Sequence, residues 1–291
     1  MLAQADFVPR LPLEEWIEGV TDFVTGGTFA GIFAVFRSVV EVVVGSLQTA
    51  FTALPPLAML AVFVVLALYF ANWKVAVFTG LGLLLLISIG LWEASMETLA
   101  LVIVSAVAAL IVGVPIGILA AQYRSVEAAT KPVLDFMQTM PAFVYLIPAI
   151  LLLGLGSAPA LVATVIFAMP PAVRLTLLGI QQVPKETVEA AQAFGATPWQ
   201  TLAKVELPQA LPTIMAGVNQ VIMLALSMVV IAALIGAGGL GTEVVTGLSQ
   251  LDVGRGFTGG IGIVVIAIIL DRLTRNIGQG KKSAPSMVKG G

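Results

Sequence analysis

Apolar residues come in long blocks along most of this chain, separated by short polar stretches. The blocks cover roughly 55–71, 75–92, 97–121, 133–155, 159–179, 212–236 and 259–273. Each approaches the ~20 residues a helix needs to cross a bilayer. Stretch 99–121, LALVIVSAVAALIVGVPIGILAA, shows no alternation of apolar and polar positions. Barrel strands would alternate, and a lipid-embedded backbone must satisfy its own polar groups, so the blocks are expected to be helices. The expected fold class is therefore all-α: a polytopic membrane protein with about seven transmembrane helices.

The pattern before residue 52 differs. Glu14, Glu15, Glu18 and Asp22 make the first part acidic. From Phe29 onward the period is helical: Phe29, Ile32, Phe33, Phe36, Val40, Val43 and Leu47 share one face, and Arg37 and Glu41 lie on the other at ion-pair spacing. This predicts an N-terminal amphipathic helix lying in the membrane interface, with a spanning helix carrying one tolerated ion pair as the alternative.

Composition sharpens the reading. The chain has 291 residues, 59% hydrophobic and 10% charged, against about 25% charged in soluble domains, and its mean hydropathy is +1.05. It holds neither Cys nor His. That leaves out disulfides, thiol nucleophiles, the usual zinc sites, Ser-His-Asp triads and imidazole proton relays. The opening MLAQADFVPRLPLEEW lacks the basic-then-apolar pattern of a cleaved signal peptide. Lys and Arg fix an expected orientation. With the 181–211 loop inside, Lys74, Arg124, Lys131, Arg174, Lys185, Lys204, Arg272, Arg275, Lys281, Lys282 and Lys289 fall on the cytoplasmic side, and only Arg10, Arg37 and Arg255 fall outside. The N-terminus is then outside and the C-terminus cytoplasmic.

One polar stretch, Glu189 to Pro212, reads EAAQAFGATPWQTLAKVELPQALP. Its first part is rich in Ala, a strong helix former, and Gly195 suits a left-handed helix end. Thr197-Pro198-Trp199-Gln200 reads as a second start, with Thr as N-cap, Pro at the first position and Gln completing a capping box. Leu207-Pro208 is expected to end that helix, with re-entry into the membrane at Leu211-Pro212. The result is a stiff two-helix knob with Phe194, Trp199 and Leu202 as apolar anchors for a partner. The plainer reading is a well-capped hairpin with no further role.

The spacing Glu189-Ala190-Ala191, Gly195, Val205, Leu207-Pro208 resembles the EAA loop of permease subunits of bacterial ATP-driven (ABC) importers, in which Ile more often stands at the Val205 position. Segments 134–148, 167–184, 212–241 and 264–274 are similar to the permeases of glycine betaine/proline importers. The resemblance runs from about residue 55 to 276, extends more loosely over the amphipathic N-terminal part, and does not reach the tail. It implies a type I importer permease fold acting as a homodimer. A pair of cytoplasmic ABC ATPase subunits would receive the two knobs and bind the ATP and Mg; this chain would bind no cofactor. An extracytoplasmic substrate-binding protein would deliver the osmolyte. In that picture Glu189, Ala190, Ala191, Gly195, Thr197, Pro198, Trp199, Leu207 and Pro208 carry ATPase coupling. The implied parts are an extracytoplasmic segment 1–52, two peripheral helices in 53–93, a core at 94–276 with the coupling loop at 185–212, and a cytoplasmic tail 277–291.

Other motifs carry less. Gly236-Ala237-Gly238-Gly239-Leu240-Gly241 fits a nucleotide-binding pattern but follows no strand. It is expected to make a sharp turn into a short external re-entrant segment, 242–250. The tail's GQGKKS lacks the upstream Gly and the Ser/Thr of a P-loop, so energy must come from a partner. Asp135 and Arg174 are functional candidates at membrane depth or headgroup-level charges. Pro115, Pro141, Pro148, Pro170 and Pro171 interrupt apolar blocks and can bend helices or shape packing. Candidates for a substrate path are Met137, Gln138, Met140, Phe143, Tyr145, Asn219, Gln220, Met223 and Ser227; Asn219 and Gln220 could instead bond across helices, and the methionines could be packing. An aromatic cage for a quaternary ammonium is not evident, so strong recognition belongs to the delivering protein. The functional expectation is import of compatible solutes; choline, carnitine, trimethylamine N-oxide or an amino acid are alternatives. An ion-coupled secondary transporter would need mid-membrane acids and an inverted repeat, and neither stands out. No nucleic-acid partner is expected.

Overall fold

The computed structural model describes residues 28–278, together with the isolated positions 12, 15, 19 and 26. The acidic N-terminal stretch and the tail after 278 lie outside the described residues, as do the readings made for them. Among the described residues the elements are all helical. They are α1 (Thr28–Thr52), α2 (Pro56–Phe70), α3 (Trp73–Ser88), α4 (Trp92–Gln122), α5 (Arg124–Thr139), α6 (Ala142–Leu153), α7 (Ser157–Gln181), α8 (Lys185–Ala193), α9 (Pro198–Thr201), α10 (Leu207–Ala233), α11 (Leu240–Ser249) and α12 (Val253–Gly278).

The centre of the bundle is α7, packed along α4 on one side and α10 on the other. Close approach of α4 and α7 is possible because small residues face each other. A Cβ added to Gly113 would come 2.7 Å from the Ala172 Cβ, and one added to Gly117 2.6 Å from the Thr176 Cβ. Dispersion between closely fitted backbones, rather than water exclusion, holds helices together in lipid. Leu83, Leu86, Met96, Val102, Val221 and Ile266 fill the space between α3, α4, α10 and α12. Val40, Val44, Tyr145, Leu146, Ala160 and Met228 form a second core where α1 and α6 meet α7 and α10.

Four expectations need correction. Among the described residues five helices, or six if a bent pair counts as one, are long and apolar enough to cross a membrane, rather than seven. The five include α1, which was not among the seven blocks; of those blocks α2 and α3 drop out with 15 and 16 residues, and 133–155 counts only as the bent pair. At 1.5 Å per residue α2 and α3 fall short of a ~30 Å hydrocarbon core; Asn72, between the two, caps the start of α3 by accepting from the Val75 N–H (3.1 Å). The 133–155 block is not one continuous helix: α5 and α6 meet at 98°. Pro141 supplies the break, since it lacks an N–H and drives the residue before it out of the helical region; Met140 sits at φ −73°, ψ 133°. The other block-interrupting prolines lie inside α4, α6 and α7 without ending them.

The face of α1 matches the expected one only in part. Phe33, Arg37, Val40, Val44 and Leu47 turn inward, whereas Ile32, Phe36 and Val43 are exposed. Arg37 pairs with Glu41 (2.7 Å) as its spacing predicts, but it also donates to the Leu153 carbonyl (3.0 Å). The docking face thus carries the charge, because the end of α6 presents carbonyls with no helical partner. By length and composition α1 could cross a membrane, which was the alternative to an interfacial helix. Finally, Leu207-Pro208 does not end a helix. Residues 202–206 form a π turn in which the Leu207 N–H reaches the Leu202 carbonyl. A wider turn accommodates Pro208, whose ring crowds the carbonyl four residues back and which has no hydrogen to donate. Pro198–Ala233 therefore runs as one 36-residue rod.

Candidate functional site: the 185–206 hairpin and the neighbouring cleft

The hairpin is built almost wholly by its own residues. α8 buries no side chain. It ends in a paired carbonyl cap: the Gly195 N–H donates to Gln192 (2.9 Å) and the Ala196 N–H to Ala191 (3.1 Å). That pattern requires a left-handed residue after the helix, and Gly195 has φ +82°. Thr197 then starts α9 as predicted. The Gln200 N–H donates to Thr197 Oγ1 (3.3 Å) and the Thr197 N–H to Gln200 Oε1 (2.9 Å), a reciprocal capping box with Pro198 at the first helical position.

Phe194 and Trp199 project outward, 92% and 72% exposed. Glu189, Ala190, Thr197, Pro198 and Pro208 are also exposed, while Ala191 and Leu207 are half-buried. The structure thus brings the predicted coupling residues onto one projecting element. Leu202 is the exception: it is buried against Ile180 and Ala210, so it anchors the knob to the bundle and is not available to a partner. The carboxylate of Glu206 accepts from Gln122 Nε2 (3.1 Å), tying the π turn to the end of α4.

The substrate-path candidates separate into two groups. Met137 and Tyr145 are buried on either side of the α5–α6 break, and the Tyr145 hydroxyl donates across it to the Met137 carbonyl. Met140 is half-buried, and Gln138 and Phe143 face outward. The second group lies on α10. Asn219, Gln220 and Met223 line an open cleft of about 510 Å³ against the end of α12, together with Met215, Asp271 and Arg275. Ser227 lies a turn further on, its hydroxyl donating to the Met223 carbonyl (2.9 Å). The first group does not reach this cleft.

Asp271, not among the candidates above, pairs with Arg275 (2.7 Å); the four-residue spacing was the available signal. Asp135 and Arg174, left open above, pair with each other. Both are substantially exposed, so the pair contributes little. At the opposite end of the bundle, Gly236, Gly238 and Gly239 all take positive φ, making the turn that was expected. Its anchor was not foreseen: the Gly239 N–H donates to Glu97 Oε2 (2.7 Å) and the Leu240 N–H to Thr98 Oγ1 (2.8 Å). These side chains cap α11, which covers the predicted 242–250 segment.

The family described as "Binding-protein-dependent transport system inner membrane component" matches residues 113–283. The chain is 50% identical over 281 residues to the glycine betaine/carnitine transport permease protein GbuB of Listeria monocytogenes, covering 95% of this chain and 99% of that protein. It is 48% identical over 278 residues to the glycine betaine transport system permease protein OpuAB of Bacillus subtilis, covering 96% and 98%. Among solved structures, an inward-facing conformation of the MetNI methionine ABC transporter is similar with a TM-score of 0.54 and 26% identity, over 65% of this chain and 93% of that chain.

Proposed function

We infer the function from one premise: this chain belongs to the family of binding-protein-dependent transport system inner membrane components. It is a multi-pass membrane protein and the transport subunit of an ABC importer for compatible solutes. Membership implies two kinds of partner, an ATPase and a substrate-binding protein. The finer assignment proposed here is a homodimer with two ATPase subunits, importing glycine betaine or related quaternary ammonium compounds. ATP and Mg are held by the ATPase, and this chain binds no cofactor. The substrate assignment is carried over from the two permeases compared above, which are named for glycine betaine/carnitine and glycine betaine transport.

The observation that carries the mechanism is the uninterrupted rod from Pro198 to Ala233. Its outer turns display the exposed Trp199, and its far half packs against α7 at the centre of the bundle. A force applied by the ATPase to the knob is delivered along about 54 Å of helix at 1.5 Å per residue, without a loop to absorb it. In this reading Glu189, Ala190 and Ala191 offer an acidic, small-residue surface for docking. Gly195, Thr197 and Pro198 keep the knob stiff. Leu207 and Pro208, at the π turn, join it to the membrane part. The knob faces the cytoplasm, as the Lys/Arg distribution requires.

The test is reconstitution. Proteoliposomes holding this chain, its ATPase and the binding protein are expected to take up glycine betaine only with internal ATP and Mg, and omission of either partner abolishes uptake. Uptake by the chain alone would overturn the reading. Carnitine, choline and trimethylamine N-oxide in competition define the substrate range. Cysteines introduced at Thr197 and Ser249 are expected to react with an impermeant thiol reagent from opposite sides.

A further inference from the structure

The cleft between α10 and α12 carries groups that the lever does not use. Its wall combines the thioethers of Met215 and Met223 with the amides of Asn219 and Gln220, and Asp271 and Arg275 stand beside them. Asn219 Oδ1 is sealed from solvent and has no hydrogen-bond partner among the described residues. A buried amide normally finds a partner, and one left alone is destabilising. Asp271 is well shielded at 12% side-chain exposure, whereas Arg275 is 57% exposed and free to swing on its long stem. The cleft opens beside Pro212, near the hairpin end of the rod, so it lies where the lever enters the bundle.

We propose that this cleft is a low-affinity site for a small zwitterion carrying a methylated ammonium and a carboxylate, an inference that rests on the solute-import reading above. The charge pattern selects the ligand class. Asp271 and Arg275 sum to zero, so a lone cation or anion would satisfy one and leave the other without its partner. A zwitterion satisfies both: Arg275 takes the carboxylate through its planar fork, and Asp271 faces the ammonium. N-methyl groups carry the positive charge on C–H bonds and have no N–H to donate. The polarizable thioethers of Met215 and Met223 suit them. No aromatic ring lines the cleft, so the cage that gives tight binding of quaternary ammonium is missing. Weak binding is what a conducting path requires, since solute must leave as readily as it enters.

The chain has no Cys, which makes a direct test possible. Ala216, exposed in the cleft wall, is replaced as Ala216→Cys, and the assembled complex with its ATPase, but without binding protein, is placed in nanodiscs. Maleimide labelling is expected to slow in millimolar glycine betaine, by about tenfold at ten times the dissociation constant. Equal concentrations of choline or acetate are expected to leave the rate within about twofold by the same relation. Adding Arg275→Gln or Asn219→Leu to the cysteine variant is expected to remove the protection. Gln220→Ala, at an exposed position, serves as a milder second variant should Asn219→Leu fail to assemble. Absence of protection by glycine betaine, equal protection by choline, or protection that survives Arg275→Gln overturns the site. Spontaneous disulfide formation between two copies at position 216 also overturns it, because the cleft would then be filled by a second chain. Glycine betaine uptake by the same Ala216→Cys complex, with binding protein restored, separates the two claims. Uptake without protection removes the site and leaves the transport function standing; loss of ATP-driven glycine betaine uptake in the unsubstituted complex removes the function itself.

Discussion

Gly195 and Gly239 both hold positive φ, +82° and +72°, yet their surroundings are opposite. A Cβ added to Gly195 would meet nothing within 4 Å, whereas one added to Gly239 would run into the Thr98 hydroxyl and backbone. The first turn is closed by bonds within six residues of itself, through Gln192, Ala191, Thr197 and Gln200. The second is closed from a distance of 142 residues by Glu97 and Thr98, and a neighbouring backbone bond from Gly156 to Ile235 (2.9 Å) adds to it. One end of the bundle is therefore a self-supporting part that can move as a body. The other is a joint whose geometry exists only while α4, α7 and α10 stay packed. In the proposed mechanism this contrast would serve as a stiff handle at one end and a braced pivot at the other.

The contrast can be broken most strongly at the pivot. Gly239→Ala adds both a steric conflict and a left-handed alanine, and is expected to destabilise the protein by about 2–4 kcal/mol. Thermal unfolding in detergent measures it; an unchanged midpoint would show that the turn is not braced. Glu97→Ala leaves the Gly239 N–H without its acceptor at a half-buried site and is expected to cost about 1–3 kcal/mol. Glu97→Gln keeps an acceptor and recovers most of that.

At the handle the effects on stability are smaller and the effect on transport larger. Gly195→Val costs about 1–2 kcal/mol of local strain, leaves the protein inserted, and is expected to lower ATP-driven uptake by at least about tenfold if the knob's shape transmits the stroke. Uptake at the unsubstituted level would remove the knob from the mechanism. Thr197→Ala deletes the N-cap and is expected to cost about 1 kcal/mol, read as faster proteolysis within the hairpin than elsewhere. Smallest is Asp135→Asn. It breaks an exposed pair with Arg174 and is expected to change stability by less than about 1 kcal/mol, and a larger loss in the melting curve would show that α5 depends on that pair.

The same contrast explains which features could be read from sequence. The hairpin was legible almost residue by residue, since helix formers, a Gly end and a capping box act over a few positions and need no distant partner. Leu202 was misread because whether an apolar side chain on a short helix faces a partner or the bundle depends on how that helix is docked. The Gly-rich turn was legible as a turn; Glu97 and Thr98 were not, since nothing along the chain links them to residue 239. Among the substrate-path candidates, polarity picked out Asn219 and Gln220, while Asp271 and Arg275 joined them only when α12 was laid beside α10.

Sequence alone determined that this protein is a bundle of lipid-embedded helices with a capped polar hairpin, because long apolar blocks and local backbone chemistry act without reference to the rest of the fold. Tertiary structure decided where the rod runs unbroken, where the 98° bend falls, which face of α1 docks and which charges meet across helices. Those outcomes depend on how closely neighbouring backbones can approach and on which buried polar group is left needing a partner, and both are properties of the assembled bundle.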